Sequence, residues 1–379
     1  MRLAWLIFLP AAAYQALAIF AALRHVVRRN SDRHRLGPAF APGVSVLKPL
    51  RGMDPNTYEA FVSQVEQRYP TFEILFGARD PRDPAALEVH RLQRAYPHAA
   101  IRLISVGPGN GNAGVSATAG NGKVGVLMDL ARHAQHPVWV VNDSDIRVGP
   151  DYLSQVVAPL ADPSVGVVTC LYRAQAHNAP AAWEALGIAT DFMPSTLVAQ
   201  LLGVREFGLG STLAFRAADL ERVGGFSAFA DYLADDYQLA KRITSLGKRA
   251  LLSTYTVETS LGEATWAGVW WHQVRWARTI RTSKGGGYAG LPITHAGLWA
   301  ALALLAGAWL PAIVLLTLRM ASALLTAGCV LRSPLASAFW LAPLWDLYAF
   351  CVWLTSYAGR TVRWRDQVLT IDSQGRIQP

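Results

Sequence analysis

The chain has 379 residues, 52% of them hydrophobic and only 16% charged, with a formal net charge of +9. That is too apolar for an ordinary soluble enzyme and too mixed for a pure transporter. The basic residues form no aromatic-interleaved patch, which excludes nucleic acid as a partner. Three scattered cysteines (Cys170, Cys329, Cys351) lack metal spacing and read as reduced thiols.

In chain order, residues 3–23 carry no charge. A helix of 21–23 residues is about 31–35 Å long, enough to cross a hydrocarbon core of about 30 Å. The segment is long for a secretory signal, and Arg24, Arg28, Arg29, Arg33 and Arg35 stop it, which favours a membrane anchor. By the positive-inside rule that flank, and the domain after it, face the cytoplasm. About 270 mixed residues follow, enough for one sizeable α/β domain. Strands are expected at 43–48, 72–77, 100–106, 137–142, 164–170 and 211–216. A helix follows the first, with Pro55 in its first turn and Tyr58, Phe61, Val62 and Val65 on one face. Alternating strands and helices predict a largely parallel sheet covered on both faces, with ligands bound beyond the strands' carboxyl ends. The glycine-rich stretch 107–122 is expected to be a mobile loop. Apolar segments return at 296–318 and 333–359, the latter with one charge, Asp346. Residues 296–331 fit one crossing or two short ones, and the basic tail GRTVRWRDQ favours an even number of C-terminal crossings.

Three constellations carry chemistry. VNDSDIRV (141–148) places Asp143 and Asp145 at the tip of an apolar strand. A D-x-D there is either a solvated acidic turn or a divalent-cation site completed by diphosphate oxygens. LADDYQLAKR (233–242) opens a helix on Asp235 and Asp236, which either complement the helix dipole or include a general base for a hydroxyl. WWHQVRWARTIR (270–281) interleaves tryptophans and arginines, as an interfacial helix does, while leaving an arginine for a departing diphosphate.

These pieces in this order, with VSVLKPLRGMDPN (44–56), YPTFEILFGARDPRDPA (69–85) and GLGSTLAFR (208–216), resemble a GT-A-type, family 2-like glycosyltransferase, and more closely family 21, the ceramide glucosyltransferase group. LADDY, VTCLYR (168–173) and RWARTIR are most similar to bacterial hopanoid-biosynthesis glycosyltransferases. The resemblance implies an α/β, GT-A Rossmann-like, mostly parallel sheet with transmembrane helices at both ends. The expected layout is a transmembrane helix at 1–25, a cytoplasmic catalytic domain at 26–264, an interfacial helix at 265–290, a transmembrane region at 291–359 and a cytoplasmic tail at 360–379.

The implied reaction is inverting transfer from UDP-N-acetylglucosamine to bacteriohopanetetrol in a bacterial inner membrane. A ceramide glucosyltransferase using UDP-glucose is the nearest alternative. A non-catalytic membrane-anchored binding protein is an alternative of another class, and the few C-terminal crossings argue against a polysaccharide synthase with its own channel. The implied roles are Asp236 as base, Asp80 and Lys123 near the nucleotide, and Asp143 and Asp145 on a divalent cation (Mg2+ or Mn2+) and the diphosphate. His272, Arg275 and Trp276 stand at the family's Q/R-x-x-R-W motif, with histidine in the first place. Two departures stand out. KVGVL replaces the family's Asn-Leu pair after the lysine, and eukaryotic relatives read D-S-G where this chain reads D-S-D, which places more weight on Asp143 than on Asp145.

Overall fold

The computed structural model describes residues 3–32, 40–106, 119–364 and 367–378. The glycine-rich segment over 107–118, and Arg33 and Arg35 of the basic flank, lie outside these. Contacts divide the chain into two compact units. One, the sheet unit, comprises 32–172, 205–260 and 376–379, and the other, the apolar unit, comprises 1–31, 173–204 and 261–375. This differs from the linear layout expected from sequence. Residues 173–204 leave the expected catalytic stretch to join the apolar helices, and the last residues of the tail join the sheet unit.

The sheet unit is built on seven strands: β1 (Val44–Leu50), β2 (Phe72–Ala78), β3 (Ile101–Ser105), β4 (Val138–Val141), β5 (Val165–Gln175), β6 (Leu213–Arg216) and β7 (Arg249–Ser260), in the order β3-β2-β1-β4-β6-β5-β7. The first four are parallel, and β6 runs antiparallel to both β4 and β5. β7 was not anticipated. Its pattern, RALLSTYTVETS, mixes charged and hydroxyl residues with apolar ones because only part of it is buried. The central strands read as continuous apolar runs because helices cover both faces. All seven residues of β1 are buried, including a lysine, Lys48. Leu47, Leu75, Val126, Leu127, Val141, Phe215 and Phe226 share one core, and each such side chain contributes about 1.5–3 kcal/mol of transfer free energy.

The first helix of this unit, Thr57–Val65, starts two residues after Pro55. Its buried face is Thr57, Ala60, Phe61 and Gln64, not the expected Tyr58, Val62 and Val65. Gln64 is turned inward to donate to the Ile146 carbonyl at 3.2 Å, and Tyr58 lies outside under the Arg91 guanidinium, 3.9 Å from its ring centroid.

In the apolar unit, three helices are long and apolar enough to cross a membrane: Leu6–Ser31, Trp309–Val330 and Ala336–Tyr357. The expected continuous segment 296–318 is broken. Gly307 takes φ +69 between the shorter helix Ala296–Leu305 and the long one. Alanines (Ala11, Ala296, Ala300, Ala303, Ala312) pack at the contacts, where small side chains let helix backbones approach. A hairpin, β8 (Thr361–Trp364) and β9 (Gln367–Ile371), closes this unit, and a short strand, β10 (Ile377–Gln378), belongs to the sheet unit.

The charge foreseen in the last apolar segment is neutralised internally. Arg319 Nη2 lies 2.7 Å from Asp346 Oδ1, with the side chains 3% and 0% exposed. Asp346 also accepts from the Gly297 amide at 2.7 Å, and Arg319 Nη1 donates to the Thr190 carbonyl at 2.6 Å. Removing one partner strands a buried charge, at a cost of about 3–5 kcal/mol. Asp346→Leu alone should therefore lower the thermal midpoint in detergent more than the double change Arg319→Met/Asp346→Leu. A double variant less stable than both singles would show that the pair is not what those helices depend on.

Candidate active site

The register of the sheet builds the site. Val44 is opposite both Phe72 and Val138, so the carboxyl ends of β2, β1 and β4 form one rim. Past the end of β4, Asn142 runs beside Lys48 of β1. Lys48 Nζ donates to Asn142 Oδ1 at 2.7 Å and to the Asp143 carbonyl at 2.9 Å. Asn142 Nδ2 in turn reaches the Tyr152 hydroxyl at 3.4 Å, which is 3.0 Å from Thr212 Oγ1. This buried chain fixes the strand tip and the GLGST turn together. Burial drops the Lys48 ammonium to about 7, although Asp145 and Asp143 favour its charge. Sequence reasoning passed over Lys48 as the end of a strand. The available signal was a lysine inside an otherwise apolar run.

The two aspartates of the tip have different surroundings. Asp143 is half exposed and its Oδ1 is 2.8 Å from Lys123 Nζ. Asp145 is tied to the end of β7, its Oδ2 accepting from the Thr259 hydroxyl and, at 3.1 Å, from the Ser260 amide. Burial first, and then the charge of Asp143, push Asp145 up to about 6.

Asp235 and Asp236 open the helix Asp235–Thr244. Lys123, in the first turn of the helix Gly122–Ala131 capped by Asn121, lies 3.1 Å from Asp235 Oδ2. Burial alone would lower the Lys123 ammonium, but Asp143 and Asp235 together raise it well above the usual lysine range. Asp236 accepts from the Gly210 amide at 3.0 Å and the Tyr237 amide at 2.7 Å. A β-carbon at Gly210 would stand 3.3 Å from Asp143 Oδ2, 3.6 Å from Asp236 Oδ2 and 3.7 Å from Lys123 Nζ. Asp143, Asp236 and Lys123 therefore converge on one backbone position that has no side chain. Burial, then the adjacent Asp235 charge, raise Asp236 to about 6, with Lys123 opposing.

Asp80 does not join this cluster. Its Oδ1 accepts from the Arg82 amide at 2.9 Å in the exposed turn after β2. It stands on the same rim two strands from β4, about 10 Å along the sheet.

His272, Arg275 and Trp276 lie in the apolar unit on the helix Trp266–Ser283. His272 Nδ1 meets Glu184 Oε1, which also accepts from Gln273 Nε2 at 2.8 Å. Trp276 packs against Phe192, with centroids 5.3 Å apart, and against His272 at 4.9 Å. Glu184 was missed by the sequence reading. It is the carboxylate within APAAWEALG, a segment with no pattern tying it to residue 272. Burial would raise Glu184, but His272, Gln273 and Arg275 together hold it below the usual carboxylate range.

No group of three or more ligating side chains occurs among the described residues. Two carboxylates suffice for a cation that keeps waters and binds substrate phosphates. Asp143 and Asp145 fit that case. Asp143 is accessible, and Asp145 is raised first by burial and then by the charge of Asp143, which marks negative charge for which the protein supplies only part of the compensation.

Comparison with known proteins bears on the family and the fold. The model of the family described as Glycosyl transferase family 21 matches residues 3–377. Ceramide glucosyltransferase 1 of Caenorhabditis elegans is 31% identical over 216 residues, covering 56% of this chain and 44% of that protein. Ceramide glucosyltransferase 3 of the same organism is 27% identical over 242 residues, covering 62% and 50%. The chain thus spans about half the length of the curated relatives it matches. A solved mannosyltransferase from Pyrobaculum calidifontis, in complex with GDP-Man and Mn2+, is similar over 92% of this chain and 98% of its own, with a TM-score of 0.50 and 23% identity. That is a likeness of fold.

A carboxylate acts as a base only when ionised, so the values near 6 set a pH window. With Asp236 as the base proposed below, the rate should fall as pH drops through about 6, by about tenfold per unit. Asp145 titrates in the same range and should steepen that limb. Initial rates from pH 5 to 8 check this, and a profile flat down to pH 5 would remove Asp236 as the base.

Proposed function

The chain belongs to glycosyl transferase family 21, and from that premise we propose that it is an inverting membrane glycosyltransferase moving a sugar from a nucleotide-sugar donor to a lipid hydroxyl. The observation that carries this reading is the convergence of Asp236, Asp143 and Lys123 around Gly210 at the carboxyl ends of the parallel strands. Asp236 is enclosed, aimed by two amide hydrogen bonds and raised toward neutrality, which suits a group that must take a proton near physiological pH.

In the proposed reaction the acceptor hydroxyl gives its proton to Asp236. Its oxygen bonds to the anomeric carbon on the face opposite the diphosphate, and the bond to the diphosphate oxygen breaks with its electron pair. Lys123 offers positive charge beside the carboxylates, and Lys48 keeps the 142–143 backbone in place while charge redistributes. A divalent cation held by Asp143, Asp145 and the donor phosphates would supply the remaining positive charge to the leaving group. Asp80 is assigned to the nucleotide end of the donor on its place along the rim. His272, Arg275 and Trp276 are assigned to the diphosphate on their motif alone.

The finer reading is UDP-N-acetylglucosamine as donor and bacteriohopanetetrol as acceptor, in a bacterial inner membrane with the catalytic unit cytoplasmic. It is supported by the segments LADDY, VTCLYR and RWARTIR. The similarity to ceramide glucosyltransferases favours a second reading, UDP-glucose and ceramide.

Mass spectrometry of lipids from cells expressing the wild type or Asp236→Asn tests both. A glycosylated hopanoid or a glycosylated ceramide should appear with the wild type and be absent with Asp236→Asn, whose purified protein should still bind the nucleotide sugar. Near-normal product from Asp236→Asn would refute the base, and no glycolipid from the wild type would refute the function. Excess chelator should stop transfer, and added Mg2+ or Mn2+ should restore it. Full rate in chelator would exclude the cation.

A further inference from the structure

The apolar unit contains a second polar cluster that the proposed reaction does not use. In the helical run 179–201, residues Ile188–Phe192 form a π-turn, a widened turn that recurs at functional sites. It carries Asp191. The neighbouring Arg319 is paired with Asp346. Asp191 Oδ2 accepts from Trp345 Nε1 at 3.1 Å. His295 Nε2 stands 3.9 Å from the same oxygen, beyond hydrogen-bond reach. His295 is 1% exposed, and neither of its ring nitrogens has a hydrogen-bond partner among the described residues. The side chain of Asp191 is 22% exposed, so the cluster is open on one side. Tyr14 and Ser195, bonded to each other at 2.9 Å, bring a hydroxyl pair from the first long apolar helix and the helical run. Phe192, the next residue, packs on Trp276 of the R-W motif.

Buried polar groups are nearly always paired, and ionisable groups among membrane-spanning helices usually mark function. A hydroxyl oxygen placed about 2.8 Å from both Asp191 and His295 would satisfy both, donating its proton to the carboxylate and accepting from a ring N–H. A phosphodiester has no proton to give the carboxylate, and an ammonium has no lone pair to accept from a ring N–H, so neither charged headgroup meets both partners as a hydroxyl does. We propose that Asp191 and His295 form a subsite for hydroxyl groups on the head of the acceptor, a neutral amphiphile bearing neighbouring hydroxyls. This rests on the lipid-acceptor function above and adds the residues that read the acceptor.

The test uses the full chain in detergent, with 1,2-dodecanediol as probe and 1-methoxydodecane, dodecylamine and dodecyl phosphate as controls, and native mass spectrometry as readout. The wild type should bind the diol saturably and in preference to all three controls. Asp191→Asn and His295→Leu should each weaken diol binding by about tenfold, the loss of one well-placed hydrogen bond. They should also raise the acceptor KM by a similar factor and leave the donor KM unchanged. His295→Leu removes an unpartnered buried polar group, so its thermal midpoint should hold or rise, which separates lost binding from lost folding. If Asp191→Asn does not fold, His295→Leu decides alone.

Equal diol binding by wild type and variants, or binding of the amine or phosphate as tight as that of the diol, overturns the subsite. If the wild type binds the diol and the variants do not, but no lipid is glycosylated, the subsite stands and the transferase reading falls. If glycosylation proceeds and both variants match the wild type, the subsite falls and the transferase reading stands.

Discussion

The catalytic end of the sheet depends on a shortage of positive charge. Asp143, Asp145, Asp235 and Asp236 gather beyond β4 and at the start of one helix, and the buried cations set among them are Lys48 and Lys123. Lys123 is engaged by Asp143 and Asp235, while Lys48 spends its hydrogen bonds on Asn142 and a backbone carbonyl. Asp145 and Asp236 therefore carry the strain, and these are the two whose carboxyls rise to about 6. Crowding like charges in a partly dry place raises the pKa of whichever member is worst compensated. The same deficit suits the proposed roles, a cation at one carboxylate and a proton at the other.

That arrangement was legible in part. Alternation of apolar runs with helical patterns gave the parallel half of the sheet, since both faces are covered and each strand must be apolar throughout. The D-S-D pair stood out because charges directly after such a run are costly unless a ligand or solvent meets them. Other parts could not be read. β7 is long and half buried, so its hydroxyl and charged residues hide it, yet its end supplies Thr259 and Ser260 to Asp145. Lys48 reads as the close of a strand until the register shows Asn142 alongside. Glu184 and His272 are 88 residues apart, and a contact of that range leaves no local periodicity.

The same limit explains why nothing local marks 173–204 as part of the apolar unit. Its helical run, 179–201, is long enough but carries Glu184 and Asp191, so its composition does not read as a membrane element. Its partners, Arg319, Trp345 and the tyrosine at position 14, come from helices more than a hundred residues away in either direction. The π-turn is invisible in composition, because nothing in IATDF differs from an ordinary helical stretch. What singles it out is tertiary. The Thr190 carbonyl is taken by a buried guanidinium, and Gly187 permits contact with Trp345 that a β-carbon, 1.9 Å from the ring, would forbid.

Two adjacent aspartates illustrate how the fold divides labour between identical side chains. Asp235 and Asp236 share a helix start, where the dipole would stabilise negative charge on either. Successive helical residues point about 100° apart, so one carboxyl reaches the Lys123 ammonium and the other the Gly210 amide. The first lies 3.1 Å from a full opposite charge. Two neutral amide donors orient the second but compensate it less, and its own neighbour then repels further negative charge on it. A proton acceptor needs that second environment, because a carboxylate fully satisfied by a lysine has little affinity left for a proton. Asp235, bound to Lys123, is not the proposed base. It works through electrostatics, anchoring Lys123 and raising Asp236 to a value that matches the chemistry proposed for it.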